Sequence, residues 1–187
     1  MPFISTAFPG LLVFEPKVFE DSRGYFFESY NSKTCKEAGI DILFVQDNQA
    51  KSTYGVVRGL HYQLAPFAQT KFIRVLQGTI LDAVVDLRKG SPTYAQVYTI
   101  ELSAENRKQL FIPKGFAHGY SVLSPTAEVF YKCDDFYHKE SEGGIQLNDP
   151  DLKINWGIAP EQQIVSEKDQ QYPGVFECSN NFEFGKI

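Results

Sequence analysis

Short apolar runs, cut at close intervals by turn residues, govern what this chain can fold into. Residues 72–76 and 80–87 flank Gln77-Gly78, and runs at 96–102, 109–112, 118–123 and 127–133 follow with Gly, Pro and Ser between them. Such runs read as strands, and their repeated spacing predicts an all-β sandwich or barrel. Upstream, residues 11–18 are apolar around a Pro break, and Arg23-Gly24 makes a turn before the aromatic, alternating stretch 25–30. Residues 33–38 suggest a short helix, with Gly39 as its stop. Past Asn148-Asp149-Pro150 the chain turns polar and loses periodicity. Residues 148–187 therefore read as a tail wrapping the barrel, with a short helix near Glu161. No repeat or linker interrupts the chain, which predicts one domain spanning 1–187.

Gln77-Gly78 has the length and residue types of a tight hairpin. That pairing sets position 73 opposite 82 and 71 opposite 84, and makes Lys71 and Asp82 diagonal neighbours on one face. Parity alone leaves two readings, an exposed ion pair of little energetic weight or two polar groups facing a barrel interior. The apolar opposite face, Leu81, Ala83, Val85 and Leu87, favours the interior.

A net charge of −5 lacks the basic footprint of a nonspecific nucleic-acid binder. No apolar run approaches the ~20 residues of a membrane span, and Met1-Pro2-Phe3-Ile4-Ser5 is no secretory signal, so a cytoplasmic location is expected. The three cysteines, Cys35, Cys133 and Cys178, are odd in number and far apart, which predicts reduced thiols and neither a disulfide framework nor a metal pair.

Three histidines are available for chemistry. His61 lies in Arg58-Gly59-Leu60-His61-Tyr62-Gln63, where imidazole can move a proton near neutrality and arginine can hold an anion. His138, in Tyr137-His138-Lys139-Glu140, reads as solvated. His118 closes Pro113-Lys114-Gly115-Phe116-Ala117-His118, a Pro-x-Gly-x-x-His pattern that resembles the second motif of the cupin superfamily, a double-stranded β-helix or jelly roll. Metal-binding cupins carry a His-x-His pair and a glutamate in their first motif. Here His61-Tyr62-Gln63 lacks the second histidine, and two histidines fall short of a usual ligand set, so no metal is expected.

Across residues 10–178 the chain resembles one cupin family, the dTDP-4-dehydrorhamnose 3,5-epimerases. The stretches that carry the resemblance include Val18-Phe19-Glu20-Asp21-Ser22-Arg23-Gly24-Tyr25-Phe26-Phe27-Glu28, Gln46-Asp47-Asn48 and Val57-Arg58-Gly59-Leu60-His61-Tyr62-Gln63. Asp86-Leu87-Arg88-Lys89-Gly90-Ser91-Pro92-Thr93-Tyr94, the 112–119 segment, Tyr131-Lys132 and Asn148-Asp149-Pro150 continue it in order. The resemblance implies a jelly roll with short peripheral helices. It also implies an enzyme that epimerises dTDP-4-dehydro-6-deoxy-D-glucose at carbons 3 and 5 through an enolate, toward dTDP-L-rhamnose. No cofactor is implied, and no Gly-x-Gly-x-x-Gly fingerprint appears.

By the same resemblance His61 is the base, Asp169 its carboxylate partner, Tyr131 the acid and Lys71 the enolate stabiliser; Asp82, on the same expected face as Lys71, is expected to position it. Arg23, Glu28, Gln46, Asn48, Arg58, His118, Glu142 and Lys168 are expected at the nucleotide sugar, and Phe19, Phe26 and Tyr137 are expected to stack on thymine or deoxyribose. Judged from the residues alone, Asp169 reads as a solvated charge in a polar tail, Tyr131 as a core tyrosine and each aromatic as core. The resemblance further implies a homodimer whose N-terminal strands cross to the partner's sheet. Competing readings are a mono-epimerase or keto-isomerase on a related dTDP-4-keto sugar, a metal-dependent cupin, and a noncatalytic nucleotide-sugar binding module.

Overall fold

The computed structural model describes residues 2–186; Met1 and Ile187, the ends of the expected domain, lie outside the described residues. Strands β1 (Phe3–Ser5), β2 (Leu12–Phe14), β3 (Val18–Asp21) and β4 (Gly24–Phe27) precede helix α1 (Ser32–Glu37). Then follow β5 (Gln46–Thr53), β6 (Val57–Gln63), β7 (Lys71–Gln77), β8 (Thr79–Asp86) and β9 (Val97–Ser103). The last are β10 (Gln109–Ile112), β11 (Phe116–Val122), β12 (Thr126–Cys133) and β13 (Glu142–Gly144). They build a six-stranded sheet, β1-β2-β10-β7-β12-β5, a five-stranded sheet, β13-β6-β11-β8-β9, and the separate pair β3-β4. All pairings between named strands are antiparallel. Two such sheets face to face form the expected all-β jelly roll.

Apolar layers explain the long buried runs. Ile73, Val75, Ile80, Val84, Leu110, Val122 and Val129 pack together between the sheets. The other face of the five-stranded sheet carries Leu60, Tyr62, Ala83, Val85 and Leu87, which pack against Ile145, Trp156, Val175 and Phe182 of the C-terminal segment. The outer face of the six-stranded sheet carries Phe14, Phe72 and Phe111, which pack on Cys35 and Ile40 around α1. Covering both sheets from outside lets a strand such as β11 be buried at every residue, because neither of its faces meets water.

Local signals set the peripheral elements. The Asn31 side chain accepts from the Lys33 and Thr34 amides at 2.9 and 3.3 Å, capping α1. Gly39, at φ +83°, ends it as expected. The turn near Glu161 is 3₁₀, Pro160–Gln162. The wrapping tail is less polar inside than its composition suggests. Trp156 is fully buried, its indole N–H donating to Leu147 O at 3.0 Å. Phe182 is also fully buried, and its carbonyl accepts from the Lys89 amide at 3.0 Å. The three cysteines are free and buried. No helix among the described residues is long and apolar enough to cross a membrane.

The hairpin expected at Gln77-Gly78 does not form. The two edges of β7 are taken by β10 and β12, with Ile73 opposite Leu110 and Tyr131. Those of β8 are taken by β11 and β9, with Asp82 opposite Tyr120 and Ile100. Gly78 thus carries the chain from one sheet to the other. Its φ of +78° suits a hairpin turn or a crossing equally, and long-range partners decide. Lys71 and Asp82 are consequently on facing sheets rather than diagonal on one.

Candidate active site

Register alone gathers one polar wall. Along β12 and its neighbours Tyr131 stands opposite Asn48 and Ile73, and Cys133 stands opposite Gln46 and Lys71. Because paired residues share a face, Gln46, Asn48, Lys71 and Tyr131 all turn inward from the six-stranded sheet. The five-stranded sheet answers with His61 opposite His118, and with Glu142 opposite Gln63. The strands beneath the histidines meet closely at Gly59. A Cβ there would lie 2.5 Å from the Gly119 Cα, and φ is +127°, so only glycine fits.

Between these walls lie two adjoining cavities of about 520 and 170 Å³ that share His61, Lys71 and Tyr131. The larger is lined by the apolar Ala50, Val56, Val57, Ile164 and Val165 and by the polar Arg58, His118, Lys168 and Asp169. The smaller is polar, lined by Gln46, Asn48, Gln63, Gln69, Tyr137 and Glu142. A pocket with an apolar wall and a few convergent polar groups is what a small organic ligand requires.

His61 is oriented from the far end of the chain. Its Nε2 lies 2.7 Å from Asp169 Oδ1, across 108 residues, and the Gly59 amide donates to Asp169 Oδ2 at 3.3 Å. Asp169 is only 5% exposed, so it is not the solvated charge its sequence context suggests. Burial pushes this carboxyl up, but the His61 and Gly59 hydrogen bonds and the His61 charge outweigh it and hold the carboxyl below its usual range. An ionised carboxylate only accepts. In the neutral imidazole Nε2 therefore carries the proton, and Nδ1 keeps the lone pair.

Tyr131, on the opposite sheet, has its phenol pushed up to about 12, first by burial and then by Cys133 and Tyr120 nearby. Burial also lowers the Lys71 ammonium, against the restoring charges of Cys133, Asp82 and Glu142. The Lys71 ammonium makes no hydrogen bond or ion pair among the described residues. No hydrogen bond joins Asp82 to Lys71 among the described residues, and Asp82 acts on Lys71 as a nearby charge. Its Oδ2 lies 2.8 Å from His118 Nε2, and its Oδ1 is buried without a partner. Burial raises the Asp82 carboxyl in spite of His118 and Lys71.

Arg58 borders the larger cavity with its Nε donating to Ser52 Oγ at 3.1 Å. Glu142 Oε2 accepts from Lys168 Nζ at 2.6 Å and from the Tyr137 hydroxyl at 2.8 Å, which ties three expected ligand contacts together. Burial raises Glu142, but those two bonds outweigh it and lower it overall.

Four expected contacts are elsewhere. Phe19, Arg23 and Phe26 lie on the β3-β4 pair around a separate hollow, and Glu28, just beyond it, lines neither His61 cavity. Phe19 is 54% and Phe26 70% exposed, so neither is core. Arg23 pairs with Asp21 at 2.5 Å. His138 is half-buried rather than solvated, stacked on Phe67 with ring centroids 3.9 Å apart.

Sequence reasoning missed Gln63 and Gln69 as cavity residues, and Tyr172, whose ring meets His61 edge-on at 5.8 Å. Tyr172 is one of several aromatics in a tail without periodicity, and nothing local marks it. Among the described residues no group of three or more His, Cys, Asp or Glu is gathered as metal ligands would be.

The family model for dTDP-4-dehydrorhamnose 3,5-epimerase matches residues 5–177. The chain belongs to the dTDP-4-dehydrorhamnose 3,5-epimerase family. It is 51% identical to the dTDP-4-dehydrorhamnose 3,5-epimerase of Shigella flexneri over 170 residues, covering 90% of this chain and 93% of that one. The crystal structure of the Elizabethkingia anophelis dTDP-4-dehydrorhamnose 3,5-epimerase is 50% identical with a TM-score of 0.88, covering 92% and 94%. The Legionella pneumophila dTDP-6-deoxy-D-glucose-3,5-epimerase in complex with dTDP-4-keto-L-rhamnose is 46% identical with a TM-score of 0.89, covering 94% and 93%.

Proposed function

We propose that this chain epimerises dTDP-4-dehydro-6-deoxy-D-glucose at carbons 3 and 5 to dTDP-4-dehydro-L-rhamnose, the enolate step of dTDP-L-rhamnose synthesis. The observation that carries the proposal is the placement of His61–Asp169 and Tyr131 on opposite sheets around one cavity, with Lys71 in the same space. Inverting a carbon beside a ketone needs a base on one face and an acid on the other. His61 Nδ1 takes the proton, the C–H electrons delocalise onto the carbon-4 oxygen, and Lys71 stabilises the enolate there. Tyr131, protonated with its phenol at about 12, returns a proton to the opposite face. Each inversion leaves an imidazolium and a phenolate, which must be reset before the second. No electrons leave the substrate, so the step needs no redox cofactor.

Arg58 and Lys168 border the cavity where a diphosphate's charge requires cations. Phe19, Arg23, Phe26 and Glu28 line neither His61 cavity of their own chain and would meet one with β3-β4 of one copy lying over the other copy's site, so the proposal includes a homodimer.

Turnover of the keto sugar in deuterated water, followed by NMR, tests the reaction. Deuterium is expected at carbons 3 and 5, with His61→Ala abolishing both and Tyr131→Phe sparing exchange more than net inversion. Label at one carbon alone would make the chain a mono-epimerase. No label would remove the enzyme reading, and a stoichiometric metal required for turnover would replace it with a metal-dependent cupin.

A further inference from the structure

We infer that Gln63 is a positioning residue for ligand binding, acting through Tyr137. The inference rests on the nucleotide-sugar reading of the cavity. Gln63 follows His61 on β6 by two residues, sits on the same inward face, and is only 5% exposed. Its amide is fully used. Oε1 accepts from the His138 amide at 2.7 Å, and Nε2 donates to the Phe67 and Phe136 carbonyls at 2.7 and 3.2 Å.

Phe136 and His138 are the residues on either side of Tyr137. One side chain thus grips the backbone before and after the tyrosine. Gln46 Oε1 accepts from the Tyr137 amide itself at 3.1 Å, and Glu142 accepts from its hydroxyl. The ring, itself 56% exposed, is held at the polar cavity by a mount made of the buried Gln63 amide, the half-buried Gln46 amide and the Glu142 carboxylate.

The same grip joins two loops. Phe67 stacks on the His138 ring, and the Leu64 amide donates to Ser141 O at 2.7 Å. This mount demands one acceptor and two donors at the end of a chain two methylenes long. Only glutamine supplies both: glutamate has no donor when ionised, and asparagine is too short. Position 63 is where a metal-binding cupin carries its second first-motif histidine; here it holds a loop.

Fixing a ring before the ligand arrives removes an ordering cost from binding and leaves proton transfer at His61 and Tyr131 untouched. The effect must therefore fall on KM. Steady-state kinetics on Gln63→Glu, Tyr137→Ala and the double variant test this. Gln63→Glu is expected to raise KM about tenfold, the scale of one or two lost net hydrogen bonds, with kcat within about twofold of the parent. In the Tyr137→Ala background it is expected to change KM no further. A fall in kcat at constant KM, or a full KM effect without Tyr137, overturns the inference. Amide hydrogen exchange of the unaltered protein tests the mount where the variant fails to fold: the His138 amide is expected to exchange far more slowly than those of exposed Lys139 and Glu140, and equal rates overturn it. An unaltered protein that does not turn over the keto sugar sinks the function reading instead, and the exchange rates still judge the mount.

Discussion

Lys71 and Tyr131 stand near each other on neighbouring strands, and burial moves both toward their neutral forms with opposite consequences for the proposed chemistry. The phenol, at about 12, keeps the proton it must donate. The lysine, lowered by burial and only partly restored by Cys133, Asp82 and Glu142, gives up the proton that supplies its charge. As pH rises, the ammonium is lost below the ordinary lysine range, before the phenol ionises. The alkaline limb of kcat/KM is therefore assigned to Lys71. Lys71→Arg, which keeps its charge at any accessible pH, is expected to turn over more slowly while its alkaline limb moves upward. Lys71→Met is expected to lose roughly 10²–10³ in kcat, the scale of one missing oxyanion donor. A pH–rate profile in which the limb stays put in Lys71→Arg would take the lysine out of the enolate step. Asp82 bonds His118 and reaches Lys71 as a charge.

The end of β8 is held by a buried polar knot. Asp86, fully buried, accepts from the Arg88 amide, Nε and Nη2 and from the Ser91 and Thr93 hydroxyls, at 2.6 to 3.0 Å. The Arg88 guanidinium in turn lies 4.4 Å from the Phe116 ring centre and 5.2 Å from that of Phe184, which joins the tail to the barrel. Burial raises Asp86, but these hydrogen bonds outweigh it, so its folded value lies below the ordinary one. Such a group stabilises the fold above its unfolded pKa and stops doing so as pH falls through the folded one. Asp86→Asn leaves a buried guanidinium unpaired and is expected to cost about 3 kcal/mol in urea unfolding at neutral pH, with the deficit shrinking as the pH is lowered through the acid range. A constant deficit would mean that shape, not charge, holds the knot. The same stretch, 86–94, was legible in sequence only as part of the family resemblance. Strands with apolar alternation, such as β8 and β12, could be read from their residues. Strand β5 could not, because its inner face, Gln46, Asn48, Ala50 and Ser52, is chosen for the cavity rather than for a core. Gly78 misled because a turn signal fixes local φ and not the strand's partner. Asp169 looked solvated because burial comes from the tail's return to His61, 108 residues away, which no local window contains.

Taken whole, the molecule leaves one element unaccounted for by its own core. Among the described residues the β3-β4 pair forms no sheet with the rest of the chain, and it exposes Phe19 and Phe26, cross-strand partners on one face. Clustered exposed aromatics mark a surface that meets something, and the proposed occupant is a second copy, whose cavity would receive Arg23, Phe19 and Phe26. In that proposed dimer two-fold symmetry would make the exchange reciprocal, each copy lending its hairpin to the other. This separates contribution in trans from contribution in cis by complementation. Arg23→Ala is expected to raise KM at least about tenfold, as the loss of a charge-assisted contact, and His61→Ala to abolish turnover. When the two variants are unfolded and refolded together in equal amounts, about half of the dimers are mixed, and one site in each combines an intact His61 with the intact Arg23 of the other chain. About a quarter of all sites should then work with the parent KM. Activity that stays at the level of the Arg23→Ala sites alone would place Arg23 in its own chain's service or outside the site, and the exposed hairpin would need another partner.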